Sequence, residues 1–204
     1  MNYKLVLRLL GLLTKAFSVI VLVPLLISLA VDHEHIIAFL ETLLISVGVS
    51  RLFLYYGTKK TTYRLRIREA MAIVGCGWML VCFLGALPYL FNGMGLIDSV
   101  FESVSGFTTT GVTTVRSFSE FSNSLLAWRC LTHWFGGIGV IMLFIVIMPQ
   151  MNSGAGYLFN AELPGAVAER TLPRIKESAA LIVGIYTGLT VIEIILLMLG
   201  GVGF

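Results

Sequence analysis

Apolar residues dominate five stretches of the chain, each long enough to cross a lipid bilayer. The stretches are Leu5–Val31, Ile36–Tyr56, Ala70–Phe91, Leu125–Met148 and Ser178–Leu199. A helix needs roughly 20 apolar residues to cross a hydrocarbon core about 30 Å thick. The pattern therefore predicts five membrane-spanning helices. Arg8 and Lys15 interrupt the first stretch, so its membrane-buried part is expected to begin near Ala16.

Composition agrees with a membrane protein. Hydrophobic residues make up 57% of the chain and charged residues 12%, whereas soluble domains carry about 25% charged residues. These values exclude a cytosolic enzyme, a disordered tail and a collagen-like fibre. The net charge is +3 and no long basic run lies beside aromatic residues, so nucleic-acid binding has no support. The three cysteines offer no Cys/His cluster and are expected to pack as small hydrophobes.

The first stretch also has features of a cleavable signal peptide. It has a basic start, an apolar run, and Ser28–Ala30 as a cleavage candidate. However, Lys15 displaces the apolar part deep into the chain, and the whole run is long for a signal peptide. An uncleaved span is the favoured interpretation.

The distribution of Lys and Arg predicts the orientation. The segment Gly57–Glu69 carries five basic residues, and Arg170, Arg174 and Lys176 follow the fourth stretch. Acidic residues collect on the opposite side. Because positively charged loops remain in the cytoplasm, the N-terminus is predicted to be cytoplasmic and Asn92–Ser124 to lie outside.

The outer segment contains an apolar-rich stretch that is too short to span. Asp98–Phe107 is predicted to be a helix with Asp98 as its N-cap, and four apolar residues fall on one helical face: Val100, Phe101, Val104 and Phe107. Such a helix would be about 15 Å long, which is half a bilayer.

A run of threonines around one glycine follows this short helix, which favours extended backbone over Thr108–Thr114. Non-helical backbone occurs at membrane depth only where it is buried in protein or lines water. Carbonyl and hydroxyl oxygens there can replace the hydration shell of a cation, and glycine permits a positive φ. The pattern suggests a re-entrant loop for a monovalent cation, with its filter at Thr109, Thr110, Gly111 and Val112. A surface-lying amphipathic helix followed by a threonine-rich turn is the alternative that these residues leave open.

Three groups of residues resemble the Trk/Ktr/HKT superfamily of potassium transporters. Phe101–Thr113 resembles the first pore loop and filter, while Trp128-Arg129 and His133–Gly139 resemble the start of the first inner helix. Ala161–Gly165 and Thr171–Ile175 resemble the cytoplasmic segment that follows. The last two motifs, with two spans ahead of the pore unit, resemble the bacterial TrkH/TrkG branch.

The resemblance implies an all-α polytopic membrane protein, in which an M1–pore loop–M2 unit similar to that of potassium channels is preceded by a two-helix hairpin. Four such units form a pseudo-tetramer in this superfamily, so the chain is similar to the N-terminal part of a polypeptide more than twice as long. The implied parts are the hairpin (residues 1–56), a basic cytoplasmic loop (57–69), the first unit (70–148), a cytoplasmic segment (149–176) and the first helix of a second, incomplete unit (177–204).

The implied function is potassium uptake across the bacterial inner membrane, with this chain supplying one of four filter strands. K⁺ is the transported ion, no organic cofactor is expected in this chain, and no chemical catalysis takes place. The implied partners are the lipid bilayer, a second copy in a homodimer, and a TrkA-like cytoplasmic nucleotide-binding regulatory ring. Whether the flux is channel-like or coupled as symport with H⁺ or Na⁺ is left open.

Two other function classes compete with transport. One is a non-conducting membrane scaffold or assembly protein. The other is an intramembrane protease that uses His133 with Ser103 or Ser105, although neither serine lies in a Gly-x-Ser-x-Gly elbow. Gly154–Gly156 lacks the Gly-Lys-Ser/Thr and the strand–helix context of a nucleotide-binding loop.

Glycines and two acidic residues have more than one interpretation. Gly136, Gly137 and Gly139 provide either a gating hinge or, as we favour, close packing between helices. Glu193 lies inside the fifth stretch, and its role is left open. Glu102 is interpreted as a favourable charge near a helix N-terminus and as part of a negative outer mouth, together with Asp98 and Glu120.

Overall fold

The computed structural model describes residues 2–57, 67–117, 121–151 and 168–201, and all regular structure within these ranges is helical. This confirms the predicted all-helical class. In chain order the elements are α1 (Tyr3–Ala30), a 3₁₀ turn (His33–His35), α2 (Ile36–Tyr56), α3 (Ile67–Phe91), α4 (Leu96–Phe107), α5 (Asn123–Met151) and α6 (Ala168–Leu199).

The long helices coincide with the predicted spans. Within the described ranges, four stretches are long and apolar enough to cross a membrane: Tyr3–Ala30, His33–Tyr56, Arg68–Phe91 and Ala179–Leu199. The helix α5 covers the remaining predicted span and extends it slightly at both ends. The helix α6 begins at Ala168, so part of the predicted cytoplasmic segment 149–176 is helical.

Some sequence predictions concern residues outside the described ranges. These are most of the basic loop 57–69, Glu120, the glycines at 154 and 156, and the motif Ala161–Gly165. Side chains are also not described for residues 140–151 and 168–176, which include Arg170 and Arg174.

The chain divides into two units, residues 1–137 and 138–204, and α5 begins in the first and ends in the second. The candidate site lies entirely in the first unit. In the second unit, α6 carries Glu193 as an exposed side chain, which adds nothing to the choice among its possible roles.

Small residues bring α1 and α2 together as a hairpin. The Ser18 hydroxyl donates to the Ser46 hydroxyl at 2.9 Å, and the Ser50 hydroxyl donates to the Gly11 carbonyl at 2.8 Å. A Cβ added at Gly11 would lie 3.0 Å from the Leu54 side chain. Small side chains permit this close approach, and their hydroxyls find partners across the interface.

Three aromatic rings join the hairpin to the rest of the first unit. Phe17 on α1 meets Trp128 on α5 edge-on, with ring centroids 5.7 Å apart, and Phe107 at the end of α4 lies 6.3 Å from Phe17. Trp128 is completely buried, and its indole N–H donates to the Gly85 carbonyl on α3 at 3.0 Å. Buried aromatic rings contribute large apolar areas, so this cluster holds the end of α4 against α1 and α5.

Polar contacts link the helical hairpin to α5 at one end of the first unit and to α3 at the other. At the end predicted to lie outside, the Asp32 carboxylate accepts the Ser124 backbone N–H at 2.7 Å and so caps the N-terminus of α5, where negative charge is favourable. At the opposite end, the Asn2 backbone N–H donates to the Glu69 carboxylate at 3.0 Å. The start of α1 therefore meets the start of α3.

Candidate ion-filter segment

The short helix ends where the sequence predicts but begins earlier. It runs over Leu96–Phe107, and its N-cap is Gly95. The prediction that Asp98 is the N-cap was therefore wrong, because the helix has already begun two residues before it. Asp98 lies in the first helical turn, where its charge still favours the positive end of the helix dipole. With 12 residues, α4 is about 18 Å long and too short to cross a bilayer.

The buried face of α4 consists mainly of small and polar residues. Ser99, Glu102, Ser103 and Gly106 are buried, whereas Phe101 and Val104 are 41% and 39% exposed. Of the four apolar residues that predicted the helix, only Phe107 belongs to the core. In a membrane, apolar side chains can remain in contact with lipid and need not be buried in protein. The face of α4 that packs against neighbouring helices is therefore selected by small side chains rather than by apolar ones.

Glycines make this packing possible. A Cβ added at Gly85 on α3 would lie 2.5 Å from the Phe107 ring, and one added at Gly136 on α5 would lie 2.3 Å from the Phe107 carbonyl oxygen. A Cβ at Gly106 would lie 2.2 Å from the Thr132 hydroxyl. All three separations are below van der Waals contact. The close-packing interpretation of Gly136 therefore agrees with the structure.

The two serines of the protease hypothesis are engaged elsewhere. The Ser103 hydroxyl donates to the Cys82 carbonyl at 2.7 Å, and the Ser105 hydroxyl donates to the Val112 carbonyl. The Nδ1 atom of His133 pairs with the Arg129 carbonyl at 2.8 Å. Within the described part of the chain, neither serine is hydrogen-bonded to His133, and the nucleophile–base contact that a serine protease needs is missing.

The four residues predicted to form the filter follow α4 directly, and we call Thr109–Val112 the filter segment. All four are exposed in this chain. Thr109 has φ +56° and Gly111 has φ +77°, and these are the two positive φ values in the described residues 96–117. Residues with positive and negative φ thus alternate along the segment. The prediction of extended backbone over Thr108–Thr114 was therefore wrong for Thr109 and Gly111. Such alternation turns successive peptide planes, which allows their carbonyl oxygens to face one side.

The near end of the filter segment is fixed to α4 by backbone hydrogen bonds. The N–H groups of Thr108 and Thr110 donate to the carbonyls of Val104 and Ser105 at 2.9 and 3.0 Å. At the last residue of the segment, the Val112 carbonyl accepts a hydrogen bond from the Ser105 hydroxyl of α4. A carbonyl oxygen has two lone pairs, so Val112 retains one for another partner.

Glu102 fixes the far end of the segment. Its Oε1 atom accepts the Thr113 hydroxyl at 2.6 Å and the Thr114 backbone N–H at 2.7 Å, while its Oε2 atom accepts the Arg129 Nε–H at 3.1 Å. Glu102 is completely buried, and the Arg129 side chain is 12% exposed. The prediction that Glu102 contributes to a solvent-facing outer mouth was therefore wrong, because its charge is directed into the protein.

Sequence reasoning did not find Arg129 or the anchoring role of Thr113 and Thr114. One signal was present: a carboxylate on a helix held in a membrane needs a partner, and Arg129 is a basic residue on the next long helix. Only the fold shows that these two residues meet.

A long helical hairpin is followed here by a half-length helix and a non-helical threonine–glycine segment between long apolar helices, an arrangement typical of membrane cation transport proteins. The family model described as "Cation transport protein" (TrkH) matches residues 35–201. The chain therefore belongs to the TrkH family, which confirms the resemblance seen in the sequence. It is a family of transport proteins and not of enzymes.

Individual relatives agree with the family model. The chain is 33% identical over 195 residues to the Trk system potassium uptake protein TrkH of Escherichia coli K12, covering 94% of this chain and 40% of that protein. It is 30% identical to the E. coli protein TrkG, covering 83% of this chain and 36% of the relative. The solved structure of the potassium transporter TrkH from Vibrio parahaemolyticus superposes with a TM-score of 0.77 at 29% identity, covering 94% of this chain and 38% of that one. The chain thus spans about two fifths of the length of these relatives.

Proposed function

We propose that this chain contributes to potassium uptake across a bacterial inner membrane and supplies one of four strands of a selectivity filter. The ligands are the backbone carbonyls of Thr109, Thr110, Gly111 and Val112, together with the threonine hydroxyls. K⁺ is the transported ion, and this chain needs no organic cofactor. The similarity to potassium uptake proteins of the Trk system supports the choice of ion.

The alternation of φ along the filter segment is the observation that carries this proposal. Positive φ at Thr109 and Gly111 turns every second peptide, which allows successive carbonyls to face one side. A left-handed conformation is unfavourable for threonine, at about 1–2 kcal/mol per residue. The hydrogen bonds that fix both ends of the segment offset that cost.

The chemistry of the proposed ligands suits a monovalent cation. The described residues contain no cluster of three or more His, Cys, Asp or Glu side chains that could hold a metal ion. The oxygens offered are neutral, and rings of such oxygens replace the hydration shell of K⁺. The C-terminal end of α4 adjoins the segment, and its partial negative charge favours a cation there.

The proposal extends to the wider arrangement that the sequence predicts. The N-terminus and the segments 57–69 and 149–176 are cytoplasmic, residues 70–148 form the first pore unit behind the hairpin 1–56, and residues 177–204 begin the next unit. The protein acts as a homodimer, and the cytoplasmic segments are the contact surface for a nucleotide-binding regulatory ring. One strand is a quarter of a filter, so selective conduction requires further segments.

A matched pair of glycine variants tests the filter. Gly111 and Gly93 both have positive φ, +77° and +90°, and a Cβ added at either meets nothing within 4 Å. The substitutions Gly111→Ser and Gly93→Ser therefore impose similar backbone strain in two different places. In the complete natural protein reconstituted in vesicles, Gly111→Ser is expected to lower the preference for K⁺ over Na⁺, and Gly93→Ser to leave it unchanged. Wild-type selectivity with serine at position 111 would refute the filter assignment, and absence of flux in the wild-type protein would favour a membrane scaffold.

A further inference from the structure

Glu102 lies at the junction of three parts of the first unit: the buried face of α4, the residues after the filter segment, and α5. Each of its two carboxylate oxygens has its own set of partners. Oε1 accepts the Thr113 hydroxyl and the Thr114 N–H, and Oε2 accepts the Arg129 Nε–H. The side chain therefore connects the non-helical backbone after α4 to the long helix α5 through one carboxylate.

A role in packing alone does not account for this arrangement. Burying a carboxylate in a membrane protein is costly unless it is paired and hydrogen-bonded, and neutral residues of similar volume fill a core at lower cost. The groups bound to Oε1 are the Thr113 and Thr114 hydroxyls and the Thr114 backbone N–H. Both residues lie in a non-helical segment, which has no regular hydrogen-bonding ladder. A charged acceptor forms stronger and shorter hydrogen bonds than a neutral one, so it holds such backbone more firmly.

The position of Thr113 makes this contact relevant to ions. Thr113 directly follows Val112, the last residue of the filter segment, while backbone bonds to α4 fix the other end at Thr108 and Thr110. The filter segment thus lies between two fixed ends, and one of its four carbonyls, that of Val112, also accepts the Ser105 hydroxyl. A shift at Thr113 would rotate the peptide between Val112 and Thr113, and with it a carbonyl of the proposed filter.

We propose that Glu102 and Arg129 form a positioning pair for ion selectivity, which fixes the far end of the filter segment through Thr113 and Thr114. This inference rests on the proposed function. The pair does not touch the ion. Arg129 orients and neutralises the carboxylate, and the carboxylate sets the position of the backbone that presents the carbonyls to a monovalent cation.

The test uses the complete natural protein, reconstituted in vesicles, and measures the K⁺/Na⁺ permeability ratio together with the thermal unfolding midpoint. Glu102→Gln keeps the size of the side chain but removes its charge, and it is expected to lower the ratio by about tenfold, equivalent to about 1.4 kcal/mol of ion discrimination. Glu34→Gln, at an exposed glutamate of the 3₁₀ turn, is the matched control and should leave the ratio unchanged.

Thr113→Val provides a second variant that leaves the ion pair intact. It removes one donor to Oε1 at nearly constant volume and is expected to lower the ratio by about threefold, whereas Thr113→Ser keeps the hydroxyl and should restore it. If Glu102→Gln does not accumulate, the Thr113 pair decides the question alone. A wild-type ratio in Thr113→Val overturns the inference.

The glycine variants distinguish failure of the positioning pair from failure of the filter assignment. A lower ratio in Gly111→Ser with wild-type ratios in Glu102→Gln and Thr113→Val would retain the filter and reject the positioning pair. Wild-type selectivity in Gly111→Ser would reject the proposed function itself.

Discussion

The α1–α2 hairpin and the α3–α5 part of the first unit bury polar groups in different ways. In the hairpin the buried polar side chains are hydroxyls, such as Ser18, Ser46 and Ser50, which bond to each other or to backbone carbonyls. In the α3–α5 part, hydroxyls are accompanied by two buried carboxylates: Glu69 at the start of α3, which accepts the Asn2 backbone N–H, and Glu102, which is paired with Arg129.

The two regions differ in how many backbone groups need a hydrogen-bond partner from another element. A helix satisfies its own backbone, so hydroxyls between two helices need only permit close approach. The segment after α4 has no such internal pairing, and its N–H and hydroxyl groups require an acceptor from another element. A carboxylate is the strongest acceptor available, and its burial requires a cation beside it. Neutral hydroxyls thus join the interiors of the two hairpin helices, while carboxylates hold helix ends and the irregular backbone after α4.

The largest expected effect comes from separating the charges. Arg129→Gln leaves a completely buried carboxylate with neutral donors alone, and we expect the free energy of unfolding to fall by about 3–5 kcal/mol. Denaturant unfolding of the purified protein in detergent measures this change. The double variant Glu102→Gln/Arg129→Gln buries no charge and should recover a large part of the loss. A double variant as unstable as Arg129→Gln would show that the charge is not the cause.

An intermediate effect is expected from adding a methyl group where α5 crosses the end of α4. Gly136→Ala would place a Cβ 2.3 Å from the Phe107 carbonyl oxygen, and such overpacking costs about 1–3 kcal/mol. The control is Gly48→Ala on α2, where a Cβ meets nothing within 4 Å. There alanine should increase stability by up to about 1 kcal/mol. Equal effects at the two sites would contradict the packing difference between the two regions.

The smallest effect is expected inside the hairpin. Ser46→Ala removes a neutral hydrogen bond to Ser18, and polar contacts of this kind between membrane helices average about 0.6 kcal/mol. The same unfolding assay should detect a loss of that size with no change in the K⁺/Na⁺ permeability ratio. A change in ion selectivity would show that the hairpin also positions the filter segment. The hairpin and the α3–α5 part would then not differ in this role.

Sequence reasoning predicted the long helices well because the bilayer itself sets their length and composition. Ile36–Tyr56 was predicted to the residue, and α3 and α5 within a few residues. The start of α4 was less predictable, because its N-cap, Gly95, has no side chain that could mark it in the sequence. Asp98 is a residue type that is common at N-caps, but it lies inside the first turn of the helix.

The orientation of α4 could not be predicted from apolar periodicity. That pattern identifies the packed face when water surrounds the protein, but Phe101 and Val104 lie outward here, while Ser103 and Gly106 face the neighbouring helices. The pair formed by Glu102 and Arg129 is separated by 27 residues, and neither periodicity nor spacing brings them together. Three-dimensional packing was needed to find it.

The bond from Asp32 to the start of α5 has a consequence for biosynthesis. Asp32 and Ser124 are 92 residues apart, which corresponds to roughly 5–20 s of translation at about 5–20 residues per second. The hairpin is therefore synthesised, with Phe17 and Asp32 in place, well before α5 leaves the ribosome to meet them. The helix α4 can bond to α3 beforehand, through Ser103 and the Cys82 carbonyl, but Glu102 can meet Arg129 only after α5 has been synthesised. The far end of the filter segment is therefore the last part of the first unit to gain its full set of contacts.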